Sequence, residues 1–161
     1  VVGAVNGLAA GAGARLILSC DVKVSSDKAT FINAFSRVGL VPDSGMTYFL
    51  PRYMGLSLAL EHAWLAKPIT AQQALHFGWV NRVVAPDQLA GETAKFAAEL
   101  AQCPPLSVGL TKRALNRSLE DALEGQMEYE AQLQEILGKT KDHAEGVSAF
   151  LEKRPAKFIG E

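Results

Sequence analysis

A glycine- and alanine-rich stretch near the start of the chain most limits what this sequence can fold into. Residues 6–14 read NGLAAGAGA and follow the apolar run Val1–Val5. An apolar run that ends in Asn-Gly is typical of a buried strand followed by a turn. Because glycine and alanine let backbones approach closely, we expect a tight turn and then a small-residue helix over residues 11–20. Backbone N–H groups in such a turn can face a ligand, so the stretch is also a candidate binding site.

A second turn holds a single carboxylate. Asp43 is the only acidic residue in the segment Phe31–Gly45, where it lies in a Pro-Asp-Ser-Gly turn after a largely apolar approach. One carboxylate near exposed backbone donors suits the movement of a proton beside a stabilised oxyanion. The same position also fits the N-cap of a helix, a role that is worth about 1 kcal/mol of stability. The spacing alone leaves both roles open.

Composition restricts the class of protein. The chain has 161 residues, of which 48% are hydrophobic and 20% are charged, and its formal net charge is -1. These values are typical of a soluble globular domain with its own core. They argue against a nucleic-acid partner, since no basic stretch stands out. They also argue against a membrane partner, since no apolar run approaches the roughly 20 residues that a membrane span needs.

The thiol and imidazole side chains show no metal-binding pattern. Cys20 and Cys103 match no metal or redox spacing, and neither do the three histidines, His62, His76 and His143. We therefore expect no metal site. Unpaired thiols, together with the lack of a basic and apolar leader after Val1, favour a cytoplasmic protein. The chain starts without Met inside a predicted strand, so we expect the natural polypeptide to begin further upstream.

Helix and strand signals predict an α/β part followed by a helical part. The expected strands cover residues 1–6, 21–25, 27–32 and 79–85. The expected helices cover residues 11–20, 44–54, 56–66, 70–78, 87–102, 106–117, 118–137 and 142–153. Side-chain caps are predicted at Thr70 with Gln73, at Ser118 with Asp121, and at Thr140. We place the boundary so that residues 1–100 form the α/β part and residues 101–161 the helical part.

Five ordered blocks of the sequence resemble the crotonase, or enoyl-CoA hydratase/isomerase, superfamily. The blocks are the glycine-rich stretch through Asp21, GLVPDSG at 39–45, LPRYMG at 50–55, ITAQQAL and GWVNRVV within 69–84, and EGVSAFLEKR at 145–154. The resemblance covers the whole chain and corresponds to the C-terminal portion of the family. It implies an α/β fold, the crotonase (ClpP-like) ββα spiral truncated on its N-terminal side, with a C-terminal helical region that mediates trimer formation.

The resemblance also implies a substrate and an oxyanion hole. Members of the family bind acyl-CoA thioesters and stabilise an enolate-like oxyanion with two backbone N–H groups, one of which corresponds to Ala12. The other donor belongs to the part of the family upstream of this chain. No metal or redox cofactor is implied, because CoA arrives as part of the substrate. The implied assembly is a homotrimer or a dimer of trimers.

Within the family, the residues at this site favour isomerisation over hydration. Hydratases that resemble this chain carry two glutamates that hold the attacking water, and Arg15 and Phe35 occupy those positions here. Neither side chain can act as a general base near neutral pH. Asp43 stands where related isomerases place an essential acid, so the resemblance implies an acyl-CoA isomerase with Asp43 as its acid/base residue. The blocks look most like the phenylacetate-pathway ring-1,2-epoxyphenylacetyl-CoA isomerases, which also act as Δ3,Δ2-enoyl-CoA isomerases.

Four further residues of the α/β part are candidate substrate contacts. Phe35, Leu16 and Met46 would form an apolar wall that excludes water from the acid. Arg15 fits three roles, as a solvated helix residue, as a partner of Asp43 or as a substrate contact. The spacing leaves these three roles open.

The last helix carries two more candidates. Phe150 and Lys153 match family positions that reach the CoA of a neighbouring subunit, although a basic residue at a helix end is also favourable by itself. Three other functions stay open beside isomerisation. They are enoyl-CoA hydration, thioester hydrolysis or dehalogenation through an Asp nucleophile, and a non-catalytic assembly subunit that keeps the fold.

Overall fold

Six short strands and eight α-helices follow one another along residues 1–161, all of which the computed structural model describes. The backbone groups into two units, Val1–Ala97 and Ala98–Glu161. The strands lie in the first unit, and the second unit is helical. No helix combines the length and the apolar character that crossing a membrane requires.

The strands of the first unit form two small sheets. In one sheet β1 (Val2–Val5), β3 (Val22–Ser26) and β6 (Arg82–Val84) are parallel, in the order β1-β3-β6. The second sheet contains β2 (Leu8–Ala10), β4 (Thr30–Ile32) and β5 (Ile69–Thr70), with β2 parallel and β5 antiparallel to β4. The predicted strands at residues 1–6, 21–25, 27–32 and 79–85 are confirmed in shorter or shifted form, whereas β2 and β5 lie where the sequence predicts no strand.

Helices follow the strands in the order that the sequence indicates. The first unit contains α1 (Ala12–Leu18), α2 (Met46–Met54), α3 (Leu56–Leu65) and α4 (Ala71–His76). Then come α5 (Leu89–Ala101), α6 (Pro105–Arg117), α7 (Leu123–Leu137) and α8 (Lys141–Glu152). Two 3-10 turns, Phe35–Val38 and Pro86–Gln88, precede α2 and α5.

The core of the first unit fixes the ends of the segments that carry the candidate site. Phe31 in β4 and Trp79 are fully buried, and their rings meet edge to face with centroids 5.8 Å apart. Met46 and Leu50 of α2 lie in the same buried cluster, as does Leu18 of α1. Because β4, α1 and α2 are anchored in this cluster, the turns between them are held at fixed points.

Two of the three predicted caps are confirmed. The Thr70 hydroxyl accepts from Gln73 N at 3.2 Å, and Gln73 Oε1 accepts from Thr70 N at 2.9 Å, which completes the capping box of α4. The Thr140 hydroxyl likewise accepts from His143 N at 3.1 Å at the start of α8. Both caps satisfy N–H groups that a helix start otherwise leaves unpaired.

The third cap, Ser118 with Asp121, is wrong. Helix α7 begins at Leu123, five residues after Ser118, and its N-cap Ala122 makes no side-chain cap bond. Ser118 instead ends α6, and Asp121 accepts from Arg117 Nε at 2.8 Å and from Ala122 N at 3.0 Å. The ion pair with Arg117, one helical turn back, takes the carboxylate away from a capping role.

Candidate active site

The glycine-rich stretch forms a turn that presents a backbone donor. Gly11 N donates to Ile32 O at 2.9 Å, and Gly11 has a φ of 51° and a ψ of -120°, a conformation that residues with a Cβ rarely adopt. Ala12 is the first residue of α1, so its N–H has no carbonyl partner within the helix. This N–H is therefore available to an acceptor outside the chain.

The turn around Asp43 is tight and left-handed. Met46 N donates to Asp43 O at 2.9 Å, which closes the turn Asp43–Met46, hereafter the Asp43 turn. Ser44 and Gly45 both have positive φ values, 55° and 88°. Positive φ is free for glycine but unfavourable for serine, and such strain is often found at functional sites.

The Asp43 carboxylate is exposed and does not cap a helix. Its Oδ1 accepts from the Ser44 hydroxyl at 2.9 Å. The N-cap of α2 is Gly45, which makes no side-chain cap bond. The N-cap role that the spacing left open for Asp43 is therefore wrong, and the carboxylate is left facing solvent.

Arg15 joins α1 to the Asp43 turn. Its Nε donates to Ser44 O at 2.8 Å, and its guanidinium carbon lies 4.2 Å from the centroid of the Phe49 ring. The side chain is half-buried. The sequence left three roles open for Arg15. The structure shows that Arg15 binds the backbone beside Asp43, and that no ion pair joins Arg15 to the Asp43 carboxylate.

Phe35 lies against the other turn. It opens the 3-10 turn Phe35–Val38, and a Cβ built on Gly11 would lie 3.7 Å from its ring. The Phe35 ring thus lies beside the space that a side chain at Gly11 would occupy, next to the residue that precedes the Ala12 N–H. The first unit therefore brings Phe35 to the Gly11 turn and brings Arg15 from the same helix to the Asp43 turn.

The two other residues of the expected apolar wall differ in exposure. Leu16 is 66% exposed on α1, so its side chain is accessible to a ligand. Met46 is completely buried in the core cluster. Met46 therefore anchors the end of the Asp43 turn in the core and offers no surface to a substrate. This corrects the expectation that its side chain lines the apolar wall around the acid.

The two candidates of the last helix lie in the second unit. Phe150 is 83% exposed on α8, and Lys153 ends that helix with a φ of 55°. Phe150 lines a cavity of about 380 Å³ together with Leu151, Phe158 and other residues of the same unit. They belong to a different unit from the turns that hold Ala12 and Asp43.

Sequence reasoning missed two polar residues near these turns. Asn33, between β4 and Phe35, is 3% exposed, and neither its amide oxygen nor its amide nitrogen has a hydrogen-bond partner. A polar residue inside the apolar run at 31–35 was a signal that could have singled it out. The sequence marks Ser44 only as part of a turn, and its positive φ has no signal beyond the glycine that follows it. The side chains form no cluster of three or more His, Cys, Asp or Glu residues that could hold a metal ion.

Comparison with known proteins places these turns in a family context. The family model described as enoyl-CoA hydratase/isomerase matches residues 1–161. A 1,2-epoxyphenylacetyl-CoA isomerase of Escherichia coli (strain K12) is 41% identical over 161 residues, which are 100% of this chain and 62% of that protein. A probable enoyl-CoA hydratase of Rhodobacter capsulatus is 42% identical over 160 residues, which are 99% of this chain and 62% of that protein.

Solved structures agree with the sequence comparison. An enoyl-CoA hydratase subunit I from Geobacillus kaustophilus HTA426 matches with a TM-score of 0.96 and 39% identity, covering 99% of this chain and 62% of the other. The chain thus spans about three fifths of the length of the relatives that it matches. Over that length, its backbone follows that of the Geobacillus kaustophilus protein closely.

Proposed function

The chain belongs to the enoyl-CoA hydratase/isomerase, or crotonase, family and has its fold, and from this we propose that the intact protein is an acyl-CoA isomerase that uses the single carboxylate of Asp43. One observation carries the proposal. Residues 1–20 contain no acidic residue, and Asp43 is the only one between Lys28 and Leu60. Both turns of the candidate site are built from these segments, so they supply one carboxylate and not two.

One carboxylate is sufficient to move a double bond. In a 3-enoyl thioester, the Asp43 carboxylate removes a proton from the carbon next to the thioester carbonyl, and the electrons shift onto the thioester oxygen. The same proton then returns to the γ carbon, which leaves the double bond between the α and β carbons. The reaction consumes no water and no oxidant, so the proposal requires no redox cofactor.

The intermediate of this reaction carries its negative charge on the thioester oxygen. The Ala12 N–H, which has no partner within α1, would donate to that oxygen. A donor of this kind typically accounts for about 10²–10³ in rate. Phe35, against the Gly11 turn, and the exposed Leu16 would keep water from the intermediate.

Hydration is the second candidate, because relatives such as the one from Rhodobacter capsulatus are named as hydratases. Adding water across the double bond needs a group that holds and deprotonates the water as well as a group that protonates carbon. At the two positions that would supply glutamates, Arg15 binds a backbone carbonyl and Phe35 has no titratable group. The site therefore favours isomerisation.

The substrate class and the assembly are part of the same proposal. An acyl-CoA thioester is the substrate. The name of the Escherichia coli relative, 1,2-epoxyphenylacetyl-CoA isomerase, suggests that ring-epoxide opening is a second reaction of the same site. The assembly is a homotrimer or a dimer of trimers formed through the second unit. Support comes from large apolar side chains that this unit leaves exposed, among them Phe150 at 83% and Leu151 at 74%. Phe150 and Lys153 would then reach the CoA of a neighbouring copy.

The experiment that tests this function compares two substrates on the intact protein. Conversion of a 3-enoyl-CoA to the 2-enoyl-CoA is followed by the ultraviolet absorbance of the conjugated thioester, and hydration of crotonyl-CoA by the loss of that absorbance. We expect isomerisation and no comparable hydration. Hydration at a rate equal to or above isomerisation would mean that another group holds the water, and would replace this proposal with the hydratase.

A further inference from the structure

We propose that Arg15 is a positioning residue, whose guanidinium holds the Asp43 turn in the left-handed conformation that presents the carboxylate. This inference rests on the proposed function of Asp43. It assigns one role to a side chain for which the sequence left three roles open. Arg15 would act through the backbone and would not itself touch the reacting atoms.

The contacts of Arg15 fix both the position and the orientation of the Asp43 turn relative to α1. The Nε group donates to Ser44 O at 2.8 Å, and the guanidinium carbon lies over the Phe49 ring, 4.2 Å from its centroid. A cation on an aromatic face and a hydrogen bond from the same group leave the side chain little freedom. Since Phe49 belongs to α2, Arg15 connects α1 to both ends of the segment from the turn into α2.

Position 45 lies directly beside this contact, and its backbone conformation requires glycine. A Cβ on Gly45 would lie 3.4 Å from Arg15 Nε and 3.5 Å from Nη2, which is ordinary van der Waals contact. The Gly45 φ of 88°, however, is one that residues with a Cβ avoid. A side chain at position 45 would therefore strain the Asp43 turn itself rather than displace Arg15.

The turn needs such a contact because Ser44 is held at a φ of 55°. A serine in this region is under strain and relaxes unless its surroundings hold it. The Ser44 carbonyl that receives the Arg15 bond belongs to the residue directly after Asp43. Relaxation at Ser44 would turn the Asp43 side chain away from its present direction, and a misplacement of about 1 Å can cost about 10²-fold in rate.

Alternative roles for Arg15 fit the contacts less well. A charge partner would bind the carboxylate, but Arg15 bonds to a neutral carbonyl and Asp43 Oδ1 accepts from the Ser44 hydroxyl. A freely solvated residue would not be half-buried against Phe49. A substrate contact predicts an effect on KM, and this difference makes the roles separable by kinetics.

The test is Arg15→Met in the intact protein, which keeps much of the length and removes every donor. We expect kcat for isomerisation of a 3-enoyl-CoA to fall by about 10- to 100-fold, with KM changed by less than about twofold. Arg52→Met is the matched control. Arg52 also lies over an aromatic ring of α2, 3.5 Å from the Tyr48 centroid, and donates to Tyr48 O at 2.8 Å, but it makes no contact with the Asp43 turn. The Arg52 variant should keep its kcat.

A second variant keeps the test informative if Arg15→Met does not fold. Gly45→Ala leaves Arg15 in place but strains the backbone at a φ of 88°, so it should disturb the Asp43 turn and lower kcat in the same way. If Arg15→Met does fold, the double variant should lose little more than either single variant, because both disturb the same turn. Losses that simply multiply would contradict a shared effect on the turn.

Three results would overturn the inference. The first is an unchanged kcat in Arg15→Met. The second is a rise in KM at constant kcat in Arg15→Met, which would assign Arg15 to substrate binding. The third is an equal loss of kcat in Arg52→Met, which would assign the loss to general stability. The proposed function is tested separately by Asp43→Asn. If Asp43→Asn abolishes isomerisation while Arg15→Met leaves it intact, only the role of Arg15 fails; if Asp43→Asn isomerises normally, both fail.

Discussion

The methyl group of Ala12 has no part in the proposed chemistry, because the group that would bind the thioester oxygen is the backbone N–H. That N–H is available because Ala12 is the first residue of α1, where no carbonyl precedes it in the helix. Its direction is set by Gly11, whose φ of 51° turns the chain from β2 into the helix. The residue at position 12 can therefore change freely as long as it keeps its amide hydrogen.

Replacing Ala12 with proline removes this hydrogen at a helix position that tolerates proline. The first position of a helix accepts proline well, since its N–H has no helical partner to lose. We expect Ala12→Pro to lower kcat for isomerisation by about 10²–10³ while the melting temperature changes little. Steady-state kinetics on the intact protein, with thermal unfolding alongside, measures both quantities.

The control for Ala12→Pro is Ala12→Gly, which keeps the N–H and loses only the methyl group. We expect this variant to isomerise at close to the unmodified rate. If proline and glycine lower kcat equally, the side chain or the local flexibility is responsible, and the oxyanion role of the Ala12 N–H is wrong.

At the scale of elements, helices with side-chain caps can be located from the sequence, and very short strands cannot. Thr70 and Thr140 mark the starts of α4 and α8 because their hydroxyls act within one turn of the chain. Strand β2 has three residues and β5 has two, and each exists because it pairs with β4. No periodicity can build up over two or three residues.

For the candidate site too, local features can be predicted from the sequence, and contacts between distant segments cannot. The sequence singles out Asp43 and the glycine-rich turn, since a lone acid and a run of glycines are local signals, and the resemblance to the family points to the Ala12 N–H within that turn. It cannot reveal the bond from Arg15 to Ser44 O, because that bond exists only after α1 and the Asp43 turn lie side by side. It also cannot show that Met46 is buried, because an apolar residue after a turn can face either the core or a pocket.

Helix α8 and the residues after it are joined by one glutamate. Glu145 accepts from Arg154 Nη1 at 2.6 Å and from Arg154 Nη2 at 2.8 Å, and its Oε1 also accepts from Lys157 N at 2.8 Å. The hydrogen bonds from Arg154 and then from Lys157 N lower the pKa of the Glu145 carboxyl from 4.5 to about 2. A carboxyl whose pKa is lower in the folded state stabilises that state above pH 4.5, and this stabilisation is lost as the pH falls through about 2.

We expect the Glu145 carboxyl carbon to titrate in NMR spectra with a midpoint near pH 2. In Arg154→Met the midpoint should move up toward 4.5, because the largest cause of the lowered pKa is gone. A midpoint near 4.5 in the unmodified protein would show that this bidentate pair does not persist in solution.

At the scale of the whole molecule, the residues proposed for chemistry and those proposed for assembly lie in different units. Ala12, Arg15, Phe35 and Asp43 belong to Val1–Ala97, whereas Phe150 belongs to Ala98–Glu161. The chain also spans only about three fifths of the length of its relatives. Activity is therefore a property to be measured on the intact protein in its natural assembly.

The central claim is that one carboxylate, Asp43, moves the proton, and Asp43→Asn tests it most directly. Asparagine has the same shape but cannot accept the proton, and a positioned acid or base is worth about 10²–10⁴ in rate. Asp87→Asn, which alters an exposed aspartate of the Pro86–Gln88 turn, is the control for the substitution itself. We predict that Asp43→Asn abolishes conversion of 3-enoyl-CoA to 2-enoyl-CoA in a folded protein, while Asp87→Asn retains it. Conversion by Asp43→Asn at the unmodified rate would contradict the single-carboxylate mechanism.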